Sequence, residues 1–104
     1  MPAKPKLEWR RQASDDLAGL VEYIAGDNPD AAQEFKDEIE SKAAQLPEHP
    51  KLYKPSLRVK GMREMVVRSN YIVLCRETAQ LVEVVLMART RYLTRRLEAI
   101  STDN

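Results

Sequence analysis

Apolar residues at Ala13, Leu17, Leu20, Val21 and Ile24 recur every three or four positions, which predicts an amphipathic helix with one buried stripe. Asp15 and Asp16 fall early in that pattern, where the helix dipole favours negative charge. The run Gly26-Asp27-Asn28-Pro29 stops this helix and opens another, with Asn28 as a cap and Pro29 in the first turn. In the second helix Ala32, Phe35, Ile39, Ala43 and Leu46 form a matching stripe, closed by Pro47 and Pro50. Two helices joined by four residues and carrying matched stripes predict an antiparallel hairpin that covers a further apolar layer.

The second half of the chain supplies that layer. Residues 62–68, 71–75 and 81–87 are short runs rich in Val, Ile, Leu and Met, separated at Ser69-Asn70 and Thr78-Ala79-Gln80. Breaks this short permit only antiparallel hairpins, because a parallel return needs a dozen or more residues. Lys6-Leu7-Glu8-Trp9 reads as an edge strand leading into the first helix. The expected fold is therefore α+β, in the order β-α-α-β-β-β: a two-helix hairpin on a small twisted antiparallel sheet. Leu93, Leu97 and Ile100 predict a short C-terminal helix or tail. All 104 residues form one domain, with flexible ends expected at 1–5 and 101–104.

Composition narrows the classes. A chain of 104 residues can bury roughly 60 to 70% of its unfolded surface around a single core. At 43% hydrophobic and 32% charged, with 3 Gly, it is not disordered in character. No apolar run approaches the roughly 20 residues that cross a bilayer, and Met1-Pro2-Ala3-Lys4-Pro5-Lys6 lacks the apolar stretch of a signal peptide, so a cytoplasmic protein is expected. Cys75 and His49 are single residues of their kinds, which excludes an internal disulfide and a zinc site of the Cys/His type. Neither metal nor cofactor is expected.

Charge is unevenly spread. Residues 51–104 hold 11 Lys/Arg against five acids, net +6, while residues 1–50 hold 6 against 11, net −5. Such asymmetry predicts an interaction surface and does not bear on fold. The bases Lys54, Lys60, Arg63, Arg68, Arg89, Arg91, Arg95 and Arg96, with Tyr92, gather at strand ends and beyond the last strand. Arginine forks grip phosphates and a neighbouring tyrosine can stack on a base, so contact with RNA or DNA is chemically reasonable. For any single one of these residues, solubility and protection of a sheet edge is the simpler account. Arg89 and Arg91 differ, because they directly follow a fully apolar strand, where a sheet delivers side chains to a rim.

Other candidates take structural readings. His49 lies between two prolines with no partner nucleophile, Cys75 alternates within an apolar strand, and Trp9 and Phe35 are core residues. Glu34, Asp37, Glu38 and Glu40 form the solvated face of the second helix. No Gly-rich phosphate loop is present.

Taken in order, these motifs resemble the RelE/ParE superfamily, the toxins of type II toxin-antitoxin systems, and its ParE branch more closely. The resemblance covers the chain from about Trp9 to Arg91. It rests on Ala13-Ser14-Asp15-Asp16-Leu17 and Tyr23-Ile24, Asp30-Ala31-Ala32 with Phe35, and Leu46-Pro47-Glu48-His49-Pro50-Lys51-Leu52-Tyr53. Val59-Lys60-Gly61-Met62-Arg63-Glu64, Asn70-Tyr71-Ile72-Val73-Leu74 and Val82-Glu83-Val84-Val85 match the family's sheet.

The resemblance implies a choice of branch. RelE-type members cut messenger RNA on the ribosome by metal-free phosphoryl transfer using basic side chains. Where they offer lysines, this chain has Glu64-Met65-Val66-Val67, and where they keep an arginine it has Ile72; only Arg89 survives at a matching place. ParE-like members also lack those residues and inhibit DNA gyrase. Many of them end the last strand in His-Ala-Arg, and this chain has Met87-Ala88-Arg89. The implied function is a binder, not an enzyme: a toxin acting on gyrase or another topoisomerase through Arg89, Arg91, Tyr92, Arg95 and Arg96, with Lys60 and Arg63 as neighbours. A cognate ParD-like antitoxin with an acidic C-terminal segment is the implied partner. The alternatives are a ribosome-dependent endonuclease using Lys54, Arg63, Arg68 and Arg89, or a non-toxic binding module.

Overall fold

The computed structural model describes the backbone of residues 4–102 and the side chains of residues 4–98. The elements run β1 (Lys6–Trp9), α1 (Arg11–Ala25), α2 (Pro29–Ala44), β2 (Lys54–Pro55), β3 (Arg63–Val67), β4 (Tyr71–Glu77), β5 (Leu81–Arg89), a single 3₁₀ turn (Thr90–Tyr92) and α3 (Leu93–Thr102). The flexible ends expected from sequence fall largely outside the described residues.

α2 begins as its sequence dictates. Asn28 is extended and its side-chain oxygen accepts the Ala31 N–H at 3.1 Å, with Pro29 and Asp30 in the first turn. α1 begins at Arg11 without a side-chain cap and with no acid in its first turn. Asp16 is thus too far along α1 to serve the dipole, and its carboxylate has another task, described below.

Five strands form one sheet in the order β1-β5-β4-β3-β2. The β3–β4 and β4–β5 hairpins are antiparallel, as the short loops require. The expectation of a wholly antiparallel sheet is corrected at one edge: β1 pairs parallel to β5, Lys6 opposite Leu81 and Trp9 opposite Val84. The whole helical hairpin lies in the connection that follows β1, long enough for a parallel pairing. β2 is a two-residue strand at the opposite edge, paired to Arg63 and Glu64 and ending at Pro55, which has no N–H to extend it.

Both faces of the sheet are covered. On one, Ala13, Leu17, Phe35, Ile39, Ala43 and Leu46 of the hairpin segment pack on Met65, Val67, Val73, Cys75, Val82, Val84 and Met87. On the other, Leu93 and Leu97 of α3, with Val59 and Met62 of the loop before β3, pack on Ile72, Leu74, Val85, Leu86 and Ala88. A register shift opposite Leu74 and Cys75 explains how β5 serves both. One extra residue there puts Val85 and Leu86 together in the second core, after which Met87 returns to the first. This is why residues 81–88 read as an almost unbroken apolar run.

Candidate functional site

β5 outruns β1, and that difference in length builds the site. Strand pairing on this side of β5 ends at Val84, and the Arg10 N–H takes the Val84 carbonyl as the chain turns into α1. Beyond it the exposed edge of β5 needs another partner, since a buried N–H left unpaired is costly. Asp16 provides one: its Oδ2 accepts the Met87 N–H at 3.0 Å. The same carboxylate, only 6% exposed, takes both terminal nitrogens of Arg96 at 2.8 and 3.2 Å, tying α1, β5 and α3 together.

Past this clamp β5 delivers Arg89 to the rim, opposite Tyr71 of β4. The Arg89 guanidinium carbon lies 5.4 Å from the ring centre of Tyr23 on α1 and 5.5 Å from that of Tyr92. Arg91 lies over the same Tyr92 ring at 5.4 Å. These are cation–π distances, and the rings keep much surface open, 65% for Tyr23 and 42% for Tyr92. Arg89 and Arg91 form no ion pair among the described residues. Both guanidiniums retain hydrogen-bond capacity for a ligand.

The 3₁₀ turn carrying Arg91 and Tyr92 is held from the β3–β4 hairpin. Thr90 N–H donates to the Asn70 carbonyl at 2.7 Å, and Thr90 Oγ1 donates to the Ser69 carbonyl at 3.3 Å. That hairpin turns through Arg68 and Ser69 at φ 52° and 62°, two non-glycine residues in the left-handed region. Each costs about 1–2 kcal/mol for an L-residue. The strain places two carbonyls where Thr90 needs them, which holds the rim in one shape. Between α1 and the end of β5 lies an open recess of about 350 Å³, with Gly19, Leu20, Met87 and Ala88 in its wall, Arg89 and Tyr92 beside them, and Asp15, Asp16 and Arg96 completing it.

Of the residues predicted from sequence, the structure brings Arg89, Arg91 and Tyr92 together, with exposed Arg95 one turn on. Arg96 is committed to Asp16. Arg63, at the far end of β3, bonds Glu77 at 3.1 Å and the Tyr53 carbonyl at 2.8 Å. Lys54 pairs with Glu64 beside it, at the sheet edge opposite β1, and Lys60 lies exposed in the loop that precedes β3. Arg68 reaches Glu38 on α2 at 2.8 Å and covers the Phe35 ring at 5.6 Å. Burial would raise the Glu38 carboxyl, but hydrogen bonds from Arg68 and Lys42 outweigh it and hold the group below its usual range.

Sequence reading missed Tyr23 as a rim residue and Asp16 as its clamp. Tyr23 is a large aromatic off the buried stripe of α1, and that was the available signal. No group of three or more His, Cys, Asp or Glu is placed to hold a metal among the described residues. Burial pushes the Cys75 thiol up to about 12, so no thiolate nucleophile exists there near neutrality.

A comparison with protein families matches residues 7–91 to the ParE toxin of the type II toxin-antitoxin system parDE. No curated protein matches the chain. Among solved structures, the chromosomal ParDE toxin-antitoxin system from P. aeruginosa aligns with a TM-score of 0.72 and 20% identity, covering 83% of this chain and 96% of that one. YafQ from E. coli strain BL21(DE3) aligns with a TM-score of 0.62 and 18% identity, covering 86% and 98%. At these identities the two likenesses concern the fold. The family match spans far more than half of the sequence, from β1 to the residues that follow β5, and the chain accordingly belongs to the ParE toxins of type II toxin-antitoxin systems.

Proposed function

We propose that this toxin acts by binding, inhibiting DNA gyrase or a related topoisomerase in the cytoplasm through the rim formed by Tyr23, Arg89, Arg91 and Tyr92, with Arg95 alongside. The observation that carries the reading is the state of Arg89. It stands at the end of β5 between two exposed tyrosines, with no carboxylate paired to it among the described residues. A cation kept unpaired but fixed in direction suits an anionic partner.

The endonuclease alternative draws less support. Its basic set divides between the two ends of β3, with Lys54 and Arg63 at one and Arg68 at the other. Both Arg63 and Arg68 already hold carboxylates. General acid–base work requires groups that converge on one reacting atom. A cognate antitoxin belongs to the same proposal, because parDE systems pair toxin with antitoxin; an acidic segment would complement the excess of positive charge in residues 51–104.

Purified protein added to gyrase and relaxed plasmid should block supercoiling. Arg89→Ala should lose that inhibition by tenfold or more with its thermal unfolding unchanged. Supercoiling left intact while transcripts are cut on translating ribosomes would refute the gyrase reading and favour the nuclease. Unchanged growth on expression without antitoxin would remove toxicity itself.

A further inference from the structure

Resting on the rim being the working surface, we propose that its ligand is an unpaired nucleotide of a single-stranded nucleic acid: Arg89 and Arg91 take phosphates, and a base stacks on Tyr92 over the recess between α1 and β5.

Two features favour this ligand over an acidic protein patch. The first is the alternation of charge and ring. The Tyr92 ring has a guanidinium carbon at 5.5 Å from Arg89 and another at 5.4 Å from Arg91, and Arg89 also meets Tyr23 at 5.4 Å. An acidic protein surface needs the cations alone, whereas a single strand presents phosphates and flat base faces in alternation and uses both. Stacking on an aromatic face is open only to a base that is not already stacked in a duplex, so the arrangement selects unpaired nucleotides.

The second feature is the recess. Its volume of about 350 Å³ lies at the lower end of the range for small-ligand sites. Gly19 faces it from α1, and a side-chain carbon added at that position would meet nothing within 4 Å, so the helix leaves room there. Leu20, partly exposed, gives the recess its apolar surface with Tyr92 beside it, and Met87 and Ala88 close its floor from the core. The carboxylates of the recess fix its polarity. Asp16 is neutralised by Arg96. Asp15 forms no ion pair among the described residues, so it can accept an N–H from a base edge and repels phosphate. A nucleotide thus enters with its base toward α1 and its phosphates toward Arg89 and Arg91.

Fluorescence anisotropy on the full chain tests this, using end-labelled 15-nucleotide single-stranded DNA, RNA of the same sequence, and the DNA duplex. Single strands should bind at least tenfold tighter than duplex. Tyr92→Ala should weaken binding roughly 5- to 100-fold, the loss of one stacked base, with the salt dependence unchanged. Arg89→Ala should reduce the slope of log affinity against log salt by about one phosphate contact. Gly19→Leu removes no charge and no ring, and should block binding by filling the recess while circular dichroism reports a folded chain. Tighter binding of DNA than RNA places the strand in a topoisomerase complex, and the reverse places it in a transcript; either sustains the nucleotide site. Equal binding of duplex, or indifference to both Tyr92→Ala and Gly19→Leu, would overturn it. So would absence of oligonucleotide binding when Arg89→Ala still abolishes gyrase inhibition, an outcome that leaves the gyrase reading intact.

Discussion

Replacing Asp16 by Ala should destabilise the protein by about 3 kcal/mol, although the residue carries no obvious signal in the sequence. Its carboxylate accepts the Met87 N–H at 3.0 Å, and Met87 is 1% exposed. Without Asp16 that donor has no strand to turn to, because β1 stops opposite Val84, and an orphaned buried N–H costs about 1–3 kcal/mol. The bidentate bond to Arg96 is also lost, but the Arg96 side chain is 32% exposed and can turn to water, so this part is held to about 1 kcal/mol. Gln12 also donates to the carboxylate, at 2.9 Å, from an exposed position that contributes little. A loss of about 3 kcal/mol is a large share of a typical domain's stability and should lower Tm by about 12 °C or more for a domain near this size. Urea titration followed by circular dichroism measures it, with the slope m unchanged.

Two companion variants separate the terms. Asp16→Asn keeps an oxygen for Met87 and should cost about half as much. Arg96→Met removes the cation and leaves the Asp16 carboxylate, 6% exposed, with the Met87 and Gln12 donors alone, and should cost about 1–3 kcal/mol. If Asp16→Ala cost nothing further in an Arg96→Met background, the bond to Met87 would not be sustaining the open edge of β5, and the account of how α1 completes that edge would be wrong.

Gly19→Ala should raise stability by about 0.5–1 kcal/mol, since Ala is the better helix residue and its methyl meets nothing within 4 Å; a loss in the same urea titration would mean the recess is not open there. The Cys75 thiol is held near 12 by burial, so it should resist iodoacetamide in the native state, as mass spectrometry would detect. Its folded value lies above the ordinary thiol value of about 8.5, so its contribution is fully present below pH 8.5 and lost as pH rises toward 12, by about 1.4 kcal/mol per unit within that window. Cys75→Ala should remove that part of the alkaline decline, and identical declines in the two proteins would refute it. Glu38 is the opposite case: a carboxyl lowered by Arg68 and Lys42 contributes stability above its ordinary value, which is lost as pH falls through the folded one. Arg68→Met should flatten that acidic decline relative to wild type in thermal scans between pH 5 and 2, and an unchanged profile would count against the pairing.

Much of the fold was legible because it is local. The helical stripes, the Asn28-Pro29 start and the two hairpins each depend on residues close in sequence, and each appears in the structure. The parallel pairing of β1 with β5 was not legible, since Lys6 and Leu81 meet only after the rest of the fold has closed. The same holds for Asp16, whose partners Met87 and Arg96 are 71 and 80 residues away. The bulge at Val85 was hidden for a different reason. A central strand buried on both faces carries no alternation, so an extra residue leaves no trace in the hydropathy pattern.

The same distinction decides what the charge split means. Of the 11 bases in residues 51–104, Arg58, Arg63, Arg68, Arg76 and Arg96 are spent on Glu64, Glu77, Glu38, Glu83 and Asp16. Two of those acids, Glu38 and Asp16, come from the acidic half, so part of the asymmetry is consumed in joining the halves. The rest form no ion pair among the described residues and fall in two places. Lys51, Lys54 and Lys60 lie along the segment before β3, exposed, and none of them makes a cation–π contact among the described residues. Arg89, Arg91 and Arg95 follow the end of β5, and two of them lie over tyrosine rings. Exposed lysines on loops and at a sheet edge serve solubility and guard the edge against pairing. Arginines held against rings, on a turn anchored by Thr90, are aimed before a partner arrives and lose less freedom on binding it. Net charge therefore distinguishes one half of the chain, but orientation, which no count of charges contains, singles out the rim that we propose as the working surface.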